Sequence, residues 1–174
     1  IDTLMEDNAL TEAANRYASV MLSAFPEQAT RLGYASANAK LNDRSSANNA
    51  LALNALRSVK EMTETISPAR LSAANQADLQ LLESALSRTI WDLEQNRSEN
   101  DPLYYTEAFD AIYEVWLKKT TPSAQQSADL SARLSALPIV AQQAEKNLVQ
   151  PPAYLSQLAM ERAYYAYLSL DEIT

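Results

Sequence analysis

"AANQADLQLLESALSRTIWDLEQNR", residues 73–97, is the stretch whose reading decides the fold. Leu79, Leu82, Leu86, Ile90 and Leu93 recur at steps of three and four, the spacing that stacks side chains along one face of a helix. Alternation by two, the mark of a half-buried strand, is missing. No Gly or Pro interrupts the run, and Ser72 stands where an N-cap belongs. Leu81, Ala85 and Trp91 widen the apolar face, so this helix is expected to be central, with Leu82, Leu86 and Ile90 in mid-core.

Working outward, residues 4–24 predict a helix carrying Leu4, Leu10, Ala14, Tyr17 and Met21. Pro26 suits the first turn of a short helix, "PEQATRL", which Gly33 ends. "YASANAKLNDRSS" is polar and irregular and reads as a loop. Residues 46–66 form the next helix, with the stripe Leu56, Val59, Met62 and Ile66. Ser67-Pro68 reads as a cap followed by proline at the first helical position. Past residue 97, Asp101-Pro102 breaks the chain, and Tyr104 and Tyr105 fall in a connecting turn. Thr106 is expected to cap a helix over 107–119 with Phe109, Ile112, Tyr113 and Trp116. Thr121-Pro122 starts another helix to about Val149, with a kink or break at Leu137-Pro138. Pro151-Pro152 forces an elbow before a last helix over 153–170, whose apolar residues are Tyr154, Leu155, Leu158, Tyr164, Tyr165 and Leu168.

The 174 residues are 47% hydrophobic and include a single glycine, Gly33, so tight hairpin turns are scarce and long helices are favoured. The expected fold is all-α, an irregular bundle of about six to eight helices, some kinked at prolines. Residues 1–174 are expected to form a single helical domain, long enough to bury about 70% of the surface of the unfolded chain. The net charge is −8 with no basic stretch, which argues against nucleic acid and against an anionic membrane surface. No apolar run approaches the about 20 residues that span a bilayer. The chain opens on Ile1 without a basic start and apolar core, so no signal peptide is read there, and a processed or truncated chain is expected.

There is no cysteine and no histidine. Thiol catalysis, thiolate metal sites, His-based triads and the commonest zinc ligand are therefore absent, and no catalytic or metal-binding residue is assigned. Asp110 and Glu114 lie one helical turn apart and could share a cation, but Lys118 one turn further favours a solvated ion-paired face. Asp129 and Arg133 have the same spacing and the same exposed reading. The aromatic joint in "ENDPLYYTEAF", residues 99–109, is the candidate cleft or interface. Tyr104 and Tyr105 could be interhelix packing or the wall of a pocket, with one ring buried against the 73–97 helix and the other partly exposed. Tyr164, Tyr165 and Tyr167 form a second aromatic cluster with the same two readings.

Four phrases occur in order. "YASVMLSAFPEQATRLGY" contains Pro-x-x-Ala-Thr-x-Leu-Gly; "LSAANQADLQLLESAL" pairs a Leu-Ser start with an Asp and a leucine-rich helix; "DPLYY" follows at 101–105; "EKNLVQPPAYLSQLAMERA", residues 145–163, contains Asn-Leu-x-x-Pro-Pro before a helix. As an ordered set, from about Tyr17 to Ala163, they resemble the N-terminal portion of the bacterial "domain of unknown function 885" family. The resemblance implies a mostly helical, considerably longer protein, metallopeptidase-like, with a His-Glu-x-x-x-His-His-type zinc motif in its C-terminal half. It also implies a secreted protein or lipoprotein, in the periplasm or anchored to the outer membrane. No metal ligand carries over to any position here, since histidine is missing.

Two readings follow. In the first, the chain is a non-catalytic N-terminal lobe whose partner is the C-terminal half of the same protein, with zinc confined to that half and a peptide substrate in a cleft that the lobe lines. In the second, it is a self-contained helical module that binds a protein partner without chemistry. Helical periodicity suits both. A downstream His-Glu-x-x-x-His-His stretch in the full reading frame separates them.

Overall fold

The computed structural model describes residues 2–117 and 123–171, and within them the protein is all-α, as the periodicity predicts. In chain order come α1 (Asp2–Ala24), α2 (Pro26–Arg31), a 3-10 turn at Ala35–Ala37, α3 (Ser46–Glu64), a 3-10 turn at Pro68–Arg70, α4 (Ala73–Glu94), α5 (Arg97–Asn100), α6 (Leu103–Leu117), α7 (Ala124–Asn147) and α8 (Ala153–Asp171). The expected start at Thr121-Pro122, and Lys118, lie outside the described residues. The chain divides into two compact units, Ile1–Ala24 with Asn49–Gln95, and Phe25–Asn48 with Asn96–Thr174.

In the first unit α1 packs on α4. The predicted stripe of α4 is correct in register: Leu79, Leu82, Leu86 and Ile90 are buried, and Leu86 is 0% exposed. Burying one such side chain contributes about 1.5–3 kcal/mol. Of the wider apolar face only Ala85 is partly buried, while Leu81 and Trp91 are 70% and 59% exposed. They project from the far side of the helix, so α4 buries a narrow stripe. It also stops at Glu94, short of residue 97, because Asn96 takes a left-handed conformation (φ 51°) that a helix cannot propagate. α3 buries Ala52, Leu56, Val59 and Thr63, and its Arg57 bonds Glu94 of α4 at 2.6 Å. Ser67 and Ser72 occupy N-cap positions, but neither side chain caps a helix. Their backbone N–H groups are taken by α1 instead: Ser67 donates to Glu6 Oε2 at 3.1 Å and Ser72 to Asp7 Oδ1 at 3.2 Å.

In the second unit α6 packs on α7 and on α8. It begins four residues earlier than predicted. Asp101 accepts the N–H of Leu103 at 3.0 Å, doing at the helix start what was expected of Thr106, whose hydroxyl is spent on the Leu103 carbonyl. Ala108, Ala111 and Ile112 are fully buried. α7 is capped by Ser123, which accepts from the N–H of Gln126 at 3.1 Å, and continues as one helix through Pro138, where a kink or break was expected. α8 buries Ala159, Ala166 and Leu170, whereas Tyr154, Tyr164 and Tyr165, read as part of its apolar stripe, are at least 60% exposed. Between α7 and α8, the N–H of Val149 donates to the Glu99 carbonyl at 2.8 Å and holds the proline elbow onto α5.

α2 ends as the sequence predicts. The Gly33 N–H bonds the Thr30 carbonyl at 3.1 Å and the Tyr34 N–H bonds the Ala29 carbonyl at 3.0 Å, the paired bonds of a Schellman stop. This requires φ of +96° at Gly33, where a side chain is disfavoured.

Candidate functional site

The polar residues of the second unit gather around two buried arginines. Arg44 lies in the stretch read as an irregular polar loop, yet it is 0% exposed. Its terminal nitrogens meet both carboxylate oxygens of Glu27, itself 2% exposed, and one of them also reaches the Asn42 carbonyl. Its Nε donates to the Tyr104 carbonyl at 3.0 Å. Its backbone N–H donates to Gln143 and its carbonyl accepts from Asn147, both on α7. Glu27 and Asn42 add a reciprocal pair, each side-chain oxygen accepting the other's backbone N–H, at 2.9 and 3.1 Å. An ion pair this buried tolerates the loss of its hydration because so many lone pairs and N–H groups are satisfied.

The tyrosine joint lies within this frame. Tyr104 and Tyr105 sit in the first turn of α6 rather than in a connecting turn, and their rings meet edge to face at 5.4 Å. Consecutive helical residues point about 100° apart, so only one can enter the core. That one is Tyr105, 6% exposed, packed with Ala108 and Val140. Its packing neighbours therefore come from α6 and α7, where the 73–97 helix was expected. Its hydroxyl donates to the Ser98 carbonyl at 2.6 Å and accepts from Asn147 at 3.2 Å. Tyr104 is half-buried, with the guanidinium carbons of Arg44 and Arg97 each 5.2 Å from its ring centre, within cation–π range. Burial raises both phenols above the usual tyrosine value. Arg97 is held in turn by Asp101 and Glu107.

The second arginine, Arg133, overturns the exposed reading of the Asp129/Arg133 pair. Arg133 is 0% exposed and Asp129 7%. The two do not pair with each other: Asp129 accepts from Gln125, while Arg133 donates to the Thr30 hydroxyl at 2.7 Å and to the carbonyls of Ala37 and Ala111. Burial lowers its readiness to hold a proton. Asp110 and Glu114 do form ion pairs, though with residues far along the chain: Asp110 with Arg162 of α8 and Glu114 with Arg31 of α2.

A shallow groove of about 290 Å³ opens between the start of α3 and α7, lined by Ser45, Ser46, Ile139, Gln142, Lys146 and their neighbours. Neither tyrosine ring lines it.

A family model described as "Bacterial protein of unknown function (DUF885)" matches residues 26–168. The chain belongs to the DUF885 family. No curated protein and no solved structure matches it. Three of the phrases that carry the resemblance converge in this DUF885 chain on the two arginines. "PEQATRLG" supplies Glu27 to Arg44 and Thr30 to Arg133. "DPLYY" supplies the Tyr104 carbonyl and the Tyr105 hydroxyl, and Asn147 of the "NLVQPP" phrase ties Tyr105 to the Arg44 backbone. The fourth phrase, in the other unit, gives the Ser72 contact to Asp7. Arg44 itself was missed, because a lone arginine in a polar stretch reads as solvated.

The residues present do not fit a zinc ion. The chain holds no His or Cys, no three acidic side chains gather among the described residues, and Asp110 and Glu114 are engaged by arginines.

Proposed function

We propose that this chain is the non-catalytic helical lobe of a longer metallopeptidase-like protein, supporting a part that carries the metal and walling one side of a peptide-sized cleft. One observation carries the proposal. The charged side chains that the fold brings together are engaged by partners within the chain, and the outward side of α8 carries, beside the exposed Gln157–Glu161 pair, the large residues Tyr154, Met160, Tyr164, Tyr165 and Tyr167, each at least 60% exposed. Exposed rings such as the Tyr164–Tyr165 pair, 5.8 Å apart, suit a surface that another protein segment covers. The periplasm, or a lipid anchor on the outer membrane, is the proposed location, on the resemblance alone.

The test compares this chain with the product of the full reading frame. The chain alone should retain no stoichiometric zinc after dialysis and cleave no peptide. The longer product should hold zinc and lose peptide cleavage to a chelator. A full-length protein with neither zinc nor cleavage sinks the proposal and leaves the interaction-module reading. Fractionation of the native host tests the location.

A further inference from the structure

The groove between the start of α3 and α7 lies wholly in the second unit. Two of its lining side chains are fixed by bonds already made. Gln143 accepts the Arg44 N–H at 3.0 Å and donates to Asp43 at 2.7 Å, while Asn147 donates to the Arg44 carbonyl at 3.0 Å and to the Tyr105 hydroxyl at 3.2 Å. A wall held in this way exists before any ligand arrives, which spares the ligand the cost of ordering it. Ile139, Gln142 and Lys146 follow at steps of three and four, so they share one stripe of α7. Ser45 and Ala47 line the α3 side. Of the residues lining the groove, Lys146 alone is charged. The nearby acid, Asp43, has its Oδ1 taken by Gln143 and by the Ser45 N–H.

We propose that this groove binds a small organic carboxylate that carries a short apolar group. The lining chemistry selects the class. Lys146 attracts an anion and repels a metal cation. The Gln142 amide and the Ser45 hydroxyl, which accepts the Asn48 N–H and keeps its own proton to give, add uncharged donors for carboxylate oxygens. Inorganic phosphate would leave Ala47 and the 56% exposed Ile139 facing water, so the ligand brings an apolar group to cover them. At about 290 Å³ the groove is at the small end of ligand sites, with room for one such group. A single lysine on a chain of net charge −8 does not suit a nucleic acid. The inference does not rest on the function proposed above, because the groove is complete within this chain.

N-acetyl-leucine has the required charge and apolar group. Titrated into the whole chain, it should give saturable NMR shifts at the Ile139 methyls and the Gln142 side-chain amide. N-acetyl-leucinamide, which lacks the charge, should bind about tenfold more weakly, and Lys146→Gln should weaken N-acetyl-leucine by a similar factor, since one charge-assisted hydrogen bond is lost. Lys146 and Ile139 are both exposed, so the fold survives their substitution. Ile139→Ser should weaken N-acetyl-leucine and leave acetate unaffected. The absence of saturable shifts, equal binding of the uncharged analogue, or unchanged affinity in either variant overturns the proposal. Phosphate that binds as tightly as N-acetyl-leucine also overturns it, because the apolar side of the groove would then contribute nothing.

Discussion

Arg44 and Glu27, 17 residues apart in the chain, form a two-point ion pair at 2.8 and 2.9 Å in which neither side chain is more than 2% exposed. Removing one partner strands the other charge in a place that water cannot reach. Glu27→Ala and Arg44→Ala should each cost about 3–5 kcal/mol by urea titration. The double variant should cost well under the sum, since no charge is left unpaired. Additive losses would show that the pair is not coupled.

The two tyrosines should separate on losing a hydroxyl. Tyr105→Phe removes the bonds to Ser98 and Asn147 and should cost about 1–3 kcal/mol, the penalty for a buried group left without its partner. Tyr104→Phe keeps the ring between Arg44 and Arg97 and should change stability by less than about 0.5 kcal/mol. Equal costs would mean that the Tyr105 hydroxyl does not anchor α6 to α7.

High pH should loosen the second unit through the same rings. Burial raises the ionisation of Tyr104 and Tyr105 above the usual 10.0, so the folded state holds those protons more tightly than the unfolded one. Their contribution is fully present below pH 10.0 and is lost as pH rises through the raised folded values. Denaturant midpoints followed from pH 8 to 12 should fall above about 10, and less steeply in Tyr105→Phe. An identical slope in the two proteins would assign the loss to other groups.

Along α4, burial should decide the cost of truncation. Leu86→Ala should cost about 2–5 kcal/mol, as large-to-small changes in a packed core do. Leu81→Ala, at a position 70% exposed, should stay within about 0.5 kcal/mol. Equal losses would restore the broad, central α4 that the sequence suggests.

Gly33→Ala isolates a backbone effect, because a Cβ built at Gly33 meets nothing within 4 Å. The change should cost about 1–2 kcal/mol, the penalty for an L side chain in the left-handed region. A neutral result would mean that the α2 stop relaxes to negative φ.

The positions of the helices were legible because helix formation is local. Leu79, Leu82, Leu86 and Ile90 announce their face by spacing, and Pro26 and Gly33 bracket α2 by fixing or freeing φ within a single residue. Where apolar residues surround a helix on all sides, spacing loses this power. Tyr154, Leu158, Tyr164, Tyr165 and Leu168 compete with Ala159, Ala166 and Leu170 for the inward side of α8, and it is the fit against α6 that selects the alanines. The candidate site was legible only as the tyrosine pair, where adjacency on a helix ensures that one ring goes in. Which ring, and against which helix, depended on α7. The buried charges were invisible for a stronger reason: Arg44 finds Glu27 across 17 residues and the Tyr104 carbonyl across 60, and Arg133 finds Thr30 across 103. A sequence window carries the cost of burying a guanidinium but not the partners that offset it. Local geometry therefore determined the helices, and through-space pairing between distant segments decided which charges the protein could bury.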